Sequence, residues 1–303
     1  MIDSEFVTVV IATFQREQEL KRALSSLLEQ TYQYIEVIVV DDNVDNKWND
    51  VVKQIVLQIS HFFEEKNNKC YYVKNNGRHG PGGARNCGIN LATGKYVTFL
   101  DDDDLYLPSK IDAQVTALSN SNCDFSLMNS LLYNEDNKLV SKTNRIESSN
   151  LTGTDLMKYH LLYNLTNPNT MMFKTEAIRS IGGFEDLSIG EEYYLIEKAI
   201  LSGLTYCYVD EYATVSYIHS KKQSLSSGKA KISGENALFN HKKTFFDILN
   251  ISERKYLVVR HNAVNAYTYL RMKKYMHFFL IALKCFFVSP KMSFKVLKNK
   301  QGN

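Results

Sequence analysis

The chain has 303 residues, 44% hydrophobic and 23% charged, globular values that exclude an intrinsically disordered protein. Its formal net charge of +3 is too small to imply a nucleic-acid partner, and its length accommodates one large α/β domain with an appendage without requiring two independent domains. Five scattered cysteines, odd in number and without CxxC spacing, indicate neither a disulfide framework nor a zinc knuckle and fit a reducing compartment.

The amino terminus, MIDSEFVTVVIATFQRE, lacks the basic start of an export signal and reads as a first strand over Phe6 to Ala12, a β-branched run buried on both faces. Leu20, Ala23, Leu24, Leu27 and Leu28 predict a helix over about 17–30. Strands at Ile35 to Val40, Cys70 to Val73 and Tyr96 to Leu100 alternate with helices at about 49–65 and 83–92. Such alternation predicts a mainly parallel sheet flanked by helices, with ligands beyond the carboxyl ends of the strands. Asp41-Asp42 and the run Asp101 to Asp104 both fall there. Further along, the spacing predicts a helix through Ile111, Val115 and Leu118, strands at 125–133, 171–173 and 206–209, a polar loop over 134–150, a helix over 192–201, and two or three helices from about Gly234. The longest apolar stretch, Met276 to Val288, is shorter than the roughly 20 residues of a spanning helix.

Four consecutive aspartates repel one another unless something positive offsets them, and a bound cation is the simplest offset. Carboxylate oxygens suit Mg²⁺ or Mn²⁺, and the spacing Asp101-x-Asp103 lets two side chains point the same way. The alternative is a solvated loop leading into a helix behind Pro108. Asp41-Asp42 are placed either to select a nucleobase or to form an Asx-type turn running into Asn43 and Asn46, and Arg85, in the glycine-rich segment with Gly83, meets either a phosphate or the acidic run. Glu192, at the start of its helix, suits a general base or simply complements the helix dipole. His219 suits a metal or a diphosphate, or is a surface histidine in a basic loop, and Lys221 or Lys222 suits a leaving group.

The segments VVIATFQRE, QTYQYIEVIVVDDN, GPGGARNCGINLATGKYVTFLDDDD, IGGFEDLSIGEE and YIH occur in an order that resembles the inverting glycosyltransferase family 2. The resemblance covers about the first 220 residues and implies a GT-A fold: a catalytic domain over 1–220, with a nucleotide-sugar half to about 108 and an acceptor half beyond, and a basic helical extension over 221–303. It implies transfer from a nucleotide-diphosphate sugar, a UDP-sugar first among them, to a hydroxyl of a glycan or lipid-linked saccharide in cell-surface polysaccharide synthesis. By position, Ala12, Thr13, Phe14 and Arg16 line the nucleotide pocket and Asp42 contacts the base. Gly83 and Arg85 belong to the donor loop, Asp101 lies nearer the ribose, Asp102 is among the donor-binding residues, and Asp101, Asp103 and His219 serve the metal, with Asp103 the direct ligand. Glu192 stands where the family has an aspartate base, and the adjacent Glu191 competes for that role. A sugar-phosphate nucleotidyltransferase and an inactive nucleotide-sugar-binding subunit are the rival readings. From Arg271 onward the chain carries eight Lys and Arg and no Asp or Glu. This basic, apolar tail suits either a membrane surface, at the inner face of the cell membrane of a cytoplasmic enzyme, or packing on the catalytic domain or at a homodimer interface.

Overall fold

The computed structural model describes residues 3–144, 146, 151–187, 190–218 and 228–301. Its strands form one mixed sheet. β1 (Asp3–Thr13) lies between β2 (Ile35–Asp41) and β4 (Gly94–Phe99), both parallel to it, and β3 (Lys69–Lys74) extends the parallel half beyond β2. Every residue of β2 is buried, as expected of a strand covered on both faces, and buried Glu36 accepts from Thr8 Oγ1 at 2.5 Å and Thr93 Oγ1 at 2.8 Å. The covering helices are α1 (Gln18–Leu28), α2 (Asn46–Glu64) and α3 (Pro81–Leu91). α1 buries Leu20, Ala23, Leu24 and Leu27, the face its periodicity predicts. α3 lies close on β1 because Gly88 has no side chain: a Cβ there would sit 2.3 Å from Val10 Cγ1.

Beyond β4 the sheet changes sense. β8 (Met171–Lys174) pairs antiparallel with β4 and with β6 (Phe125–Asn134), which runs parallel to β9 (Tyr206–Ile218). The short β5 (Leu105–Tyr106) closes the outer edge on β9. The parallel arrangement therefore holds for the first half, and the sheet as a whole is mixed. Within the segment whose polarity predicts a loop, β7 (Leu139–Thr143) pairs antiparallel with β6. Only Ser141 of its five residues is buried, so it shows no apolar run. β9 likewise continues well past 209, through a half-exposed stretch. The remaining helices of this part are α4 (Lys110–Ser121), α6 (Thr175–Ser180) and α7 (Glu191–Leu201).

Two compact units emerge, Met1–Leu151 with Leu165–Ile218, and Thr152–Asn164 with His219–Asn303. The second contains α5 (Gly153–Tyr163), α8 (Gly228–Lys243), α9 (Ile251–Arg271), α10 (Tyr275–Val288) and α11 (Pro290–Gln301). α5, which no periodicity in the sequence predicts, joins this unit through Lys242, whose buried ammonium donates to Leu161 O at 2.6 Å and Asn164 Oδ1 at 2.5 Å. α9 starts on a reciprocal capping box between Asn250 and Glu253, and Val259, Ala263, Cys285 and Val296 form the unit's small apolar core. No helix among the described residues is long and apolar enough to cross a membrane.

Candidate active site

β1, β2 and β4 end side by side, and the chain turns polar at the end of each. Asp102, directly after β4, turns back under the end of β1. Its Oδ2 accepts from Thr13 Oγ1 at 2.8 Å and from Phe14 N at 3.3 Å, and its Oδ1 accepts from Arg16 Nη1 at 2.6 Å. The same guanidinium nitrogen lies 2.5 Å from Asp103 Oδ2. Arg16 is thus a clamp between neighbouring carboxylates. The turn carrying it is tied to β2 as well, through Gln15 N donating to Asn43 Oδ1 at 2.9 Å.

A second guanidinium holds the other side of the acidic run. Arg85, on the first turns of α3, donates from Nη2 to Asp101 Oδ1 and from Nη1 to Glu191 Oε1, each at 2.7 Å. Burial opposes its charge, yet Asp101 and Glu191 together raise its pKa above the usual value. This pair brings the start of α7 to the end of β4. Glu191 is thereby buried and committed to Arg85, while the next residue, Glu192, is partly exposed. Burial first, and then the neighbouring Glu191 carboxylate, push the Glu192 carboxyl up to about 7.

The glycines of the intervening segment have packing reasons. A Cβ on Gly83 would lie 2.1 Å from Arg78 O, and one on Gly82 would lie 2.7 Å from Glu185 O. Asn86 completes the joint by exchanging two 2.8 Å hydrogen bonds with the backbone of Phe184. The motifs GPGGARN and IGGFE are therefore two sides of one contact.

At the end of β2 the paired aspartates diverge. Asp41 is fully buried and accepts from Asn43 N at 3.0 Å, the Asx turn, and from Asn43 Nδ2, Asn49 Nδ2 and Tyr72 OH. Asp42 faces the loop after β3 and accepts from Asn75 Nδ2 at 2.7 Å, His79 Nδ1 at 2.9 Å and Gly80 N at 2.8 Å. The Asx turn thus falls to Asp41 and not to Asp42.

Residues 8–181 match Glycosyl transferase family 2, more than half of the chain. The chain belongs to glycosyltransferase family 2. Among its relatives, an uncharacterized glycosyltransferase of Methanocaldococcus jannaschii is 27% identical over 228 residues, 74% of this chain and 75% of that one. The Escherichia coli UDP-Glc:alpha-D-GlcNAc-diphosphoundecaprenol beta-1,3-glucosyltransferase WfaP is 33% identical over 126 residues, 41% of this chain and 46% of that enzyme. Two solved structures share the fold: S. aureus TarS 1–349, in complex with UDP-GlcNAc, at TM-score 0.59 and 16% identity over 96% of this chain and 83% of that one, and the Pyrobaculum calidifontis mannosyltransferase PcManGT, with GDP-Man and Mn²⁺, at TM-score 0.54 and 15% identity over 97% and 74%. The sheet and its helices are thus those of a GT-A glycosyltransferase.

Within this family 2 glycosyltransferase, Thr13, Phe14, Arg16, Asp101, Asp102 and Asp103 meet at one rim, with Arg85, Glu191 and Glu192 joined to it through Asp101. Ala12 lies one residue before Thr13 on β1, half-buried. His219, Lys221 and Lys222 lie outside the described residues. The positive offset that the acidic run demands is supplied in part by Arg16 and Arg85, and for Arg16 nothing in the sequence pattern signals this pairing. Compensation is incomplete. Burial pushes Asp102 up to about 7 against the pull of Arg16, and Asp104 rises well above the carboxylate range for the same reason, with Asp101 and Asp103 adding to it. Asp101 and Asp103, the rim carboxylates that meet Arg85 and Arg16, are oxygen donors of the type a divalent cation takes. Among the described residues no three His, Cys, Asp or Glu side chains gather as a complete metal cage. At this rim the Asp101 side chain is a third exposed and that of Asp103 15% exposed.

Sequence reasoning missed the layer beneath. Asn169 is fully buried; its Oδ1 accepts from Asp101 N at 2.7 Å and its amide nitrogen donates to Asp104. Tyr217 N also donates to Asp104, at 3.0 Å. Lys110, buried and held well below the ordinary lysine pKa by desolvation, bonds Thr98 and sits 4.0 Å over the Tyr106 ring, whose hydroxyl donates to Phe99 O at 2.5 Å. These residues fix the backbone on which the aspartates stand, and no local motif marks them.

The Arg85 pairs predict a stability effect. Arg85→Ala strands buried Glu191 without its partner and is expected to cost about 3–5 kcal/mol. Urea unfolding of the variant measures it; a loss within ~0.5 kcal/mol, the range of a surface substitution, contradicts a structural role for the pair.

Proposed function

We propose that the chain transfers a sugar, with inversion at the anomeric carbon, from a nucleotide-diphosphate sugar to a hydroxyl of a lipid-linked saccharide. The observation that carries this reading is the joining of Glu192 to the acidic rim: Arg85 fixes Glu191 beside Asp101, and the next carboxyl on α7 is left partly exposed with its pKa near neutrality. A base of that pKa accepts a proton efficiently at physiological pH. Glu191 serves as its anchor, because protonating it would release the buried guanidinium of Arg85.

On the donor side, Asp42 accepts a hydrogen bond from the base, with His79 and Asn75 holding its orientation, and Ala12, Thr13 and Phe14 line the nucleotide pocket. Gly83 shapes the adjoining loop by letting it close on Arg78, and Arg85 works through Asp101. Arg16 sets the positions of Asp102 and Asp103. Mn²⁺ or Mg²⁺ on Asp103 and Asp101, when bound, offsets charge developing on the diphosphate leaving group. By the family resemblance alone, His219 and Lys221 are assigned to the diphosphate leaving group. The activity of WfaP on a diphosphoundecaprenol-linked sugar favours a lipid-linked acceptor, and its UDP-Glc donor, with the UDP-GlcNAc bound to TarS, favours a UDP-sugar. Family membership favours glycosyl transfer over nucleotidyl transfer.

A hydrolysis screen over UDP-, GDP- and dTDP-sugars with Mn²⁺ or Mg²⁺ tests the proposal without a known acceptor. One or a few donors are expected to release nucleoside diphosphate. Release of the nucleoside monophosphate and sugar phosphate, or turnover of none of them, would contradict it.

A further inference from the structure

α10 presents a stripe that nothing described in its own unit covers. Met276, Phe279, Leu280, Leu283 and Phe287 recur at intervals of three and four and are between 52% and 81% exposed. They therefore share one face. The opposite face fastens the helix: Cys285 is buried and donates its thiol to Val259 O of α9. The outward stripe is thus a surface of a well-seated helix. Exposed cations flank it, Arg271, Lys273 and Lys274 before the helix, Lys284 upon it and Lys291 after it. Eight of the chain's 36 Lys and Arg, and none of its 33 Asp and Glu, fall after Leu270.

We propose that α10 lies in the interface of an anionic lipid surface, with its aromatic stripe among the acyl chains and the flanking lysines on the headgroups. Fourteen residues of helix reach about 21 Å, too short to span the roughly 30 Å hydrocarbon core, so the helix rests in the interfacial plane. Charge decides between this occupant and a second copy of the chain. A two-fold interface through this face would set the same acid-free basic segment against itself, whereas anionic headgroups neutralise it. The inference stands on the surface of the helical unit alone and does not depend on the transfer chemistry.

The test uses the full chain with vesicles of phosphatidylcholine alone and of phosphatidylcholine with phosphatidylglycerol, read by sedimentation. Partition onto the anionic vesicles is expected to exceed that onto neutral ones at least tenfold and to fall with added salt, because each lysine near the surface contributes about fivefold. Phe279→Asp with Phe287→Asp is expected to lower anionic partition at least tenfold while leaving circular dichroism and donor hydrolysis unchanged, since both side chains are exposed. Lys273→Glu with Lys274→Glu is expected to reduce only the anionic preference. Equal partition onto both vesicle types, wild-type partition by the phenylalanine variant, or a dimer that this variant dissociates with vesicle binding untouched would overturn the proposal.

Discussion

Asp103→Ala is expected to lower donor turnover by about 10²–10³-fold, the scale of losing one electrostatic contact to a developing negative charge, here the one made by the cation that Asp103 would hold. The stability of the variant should change little. Arg16 keeps its 2.6 Å bond to Asp102 when Asp103 is removed, and Thr13 and Phe14 keep theirs. Asp102→Ala makes the informative contrast. It strips three donors of one buried acceptor and is expected to destabilise by a few kcal/mol. Hydrolysis assays paired with urea unfolding separate the two: turnover lost without stability for Asp103, both lost for Asp102. Unchanged turnover by Asp103→Ala would remove it from the site.

Glu192→Gln is expected to lower the transfer rate 10²–10⁴-fold with donor KM unchanged, because the amide keeps the shape and loses the proton-accepting oxygen. The pH profile adds a second signature. Glu192 has a raised pKa, so it is protonated in the fold below about 7, and only its ionised form accepts a proton. Rate should therefore rise with pH through about 7 in the wild type, and that limb should vanish in Glu192→Gln. The same shift acts on stability in the opposite sense: the protonated form is the one the fold favours, so this contribution is full below the unfolded carboxyl pKa and fades as pH rises through about 7. Glu191→Gln gives a different result, a loss of stability through Arg85. A wild-type profile flat across neutrality, or loss of donor affinity in Glu192→Gln, would assign the base elsewhere.

The sequence is legible where burial is two-sided. β1, β2 and β4 show as apolar runs because helices cover both faces, and the helix between β1 and β2 shows because its buried face repeats. β7 and the later half of β9 mix exposed and covered positions, and short alternating or polar strands resemble loops. At the site, the acidic residues are visible in the sequence and their division of labour is not. Asp41 and Asp42 are equivalent in sequence, and only the positions of Asn43, Tyr72 and His79 assign one to a turn and leave the other facing the next loop. Glu191 and Glu192 are separated in the same way by Arg85, 106 residues before the first of them. Asn169 offers no local signal, since its function is to bond Asp101 and Asp104 from far along the chain.

The proposed mechanism depends most on a divalent cation that Asp101 and Asp103 would hold and that would offset the charge of the donor's diphosphate. Calorimetric titration of the donor identified by hydrolysis, with Mn²⁺ and then with chelator, tests it most directly. Binding at least tenfold weaker in chelator, with the same weakening in Asp103→Ala, is the predicted result. Equal affinity under both conditions would contradict it.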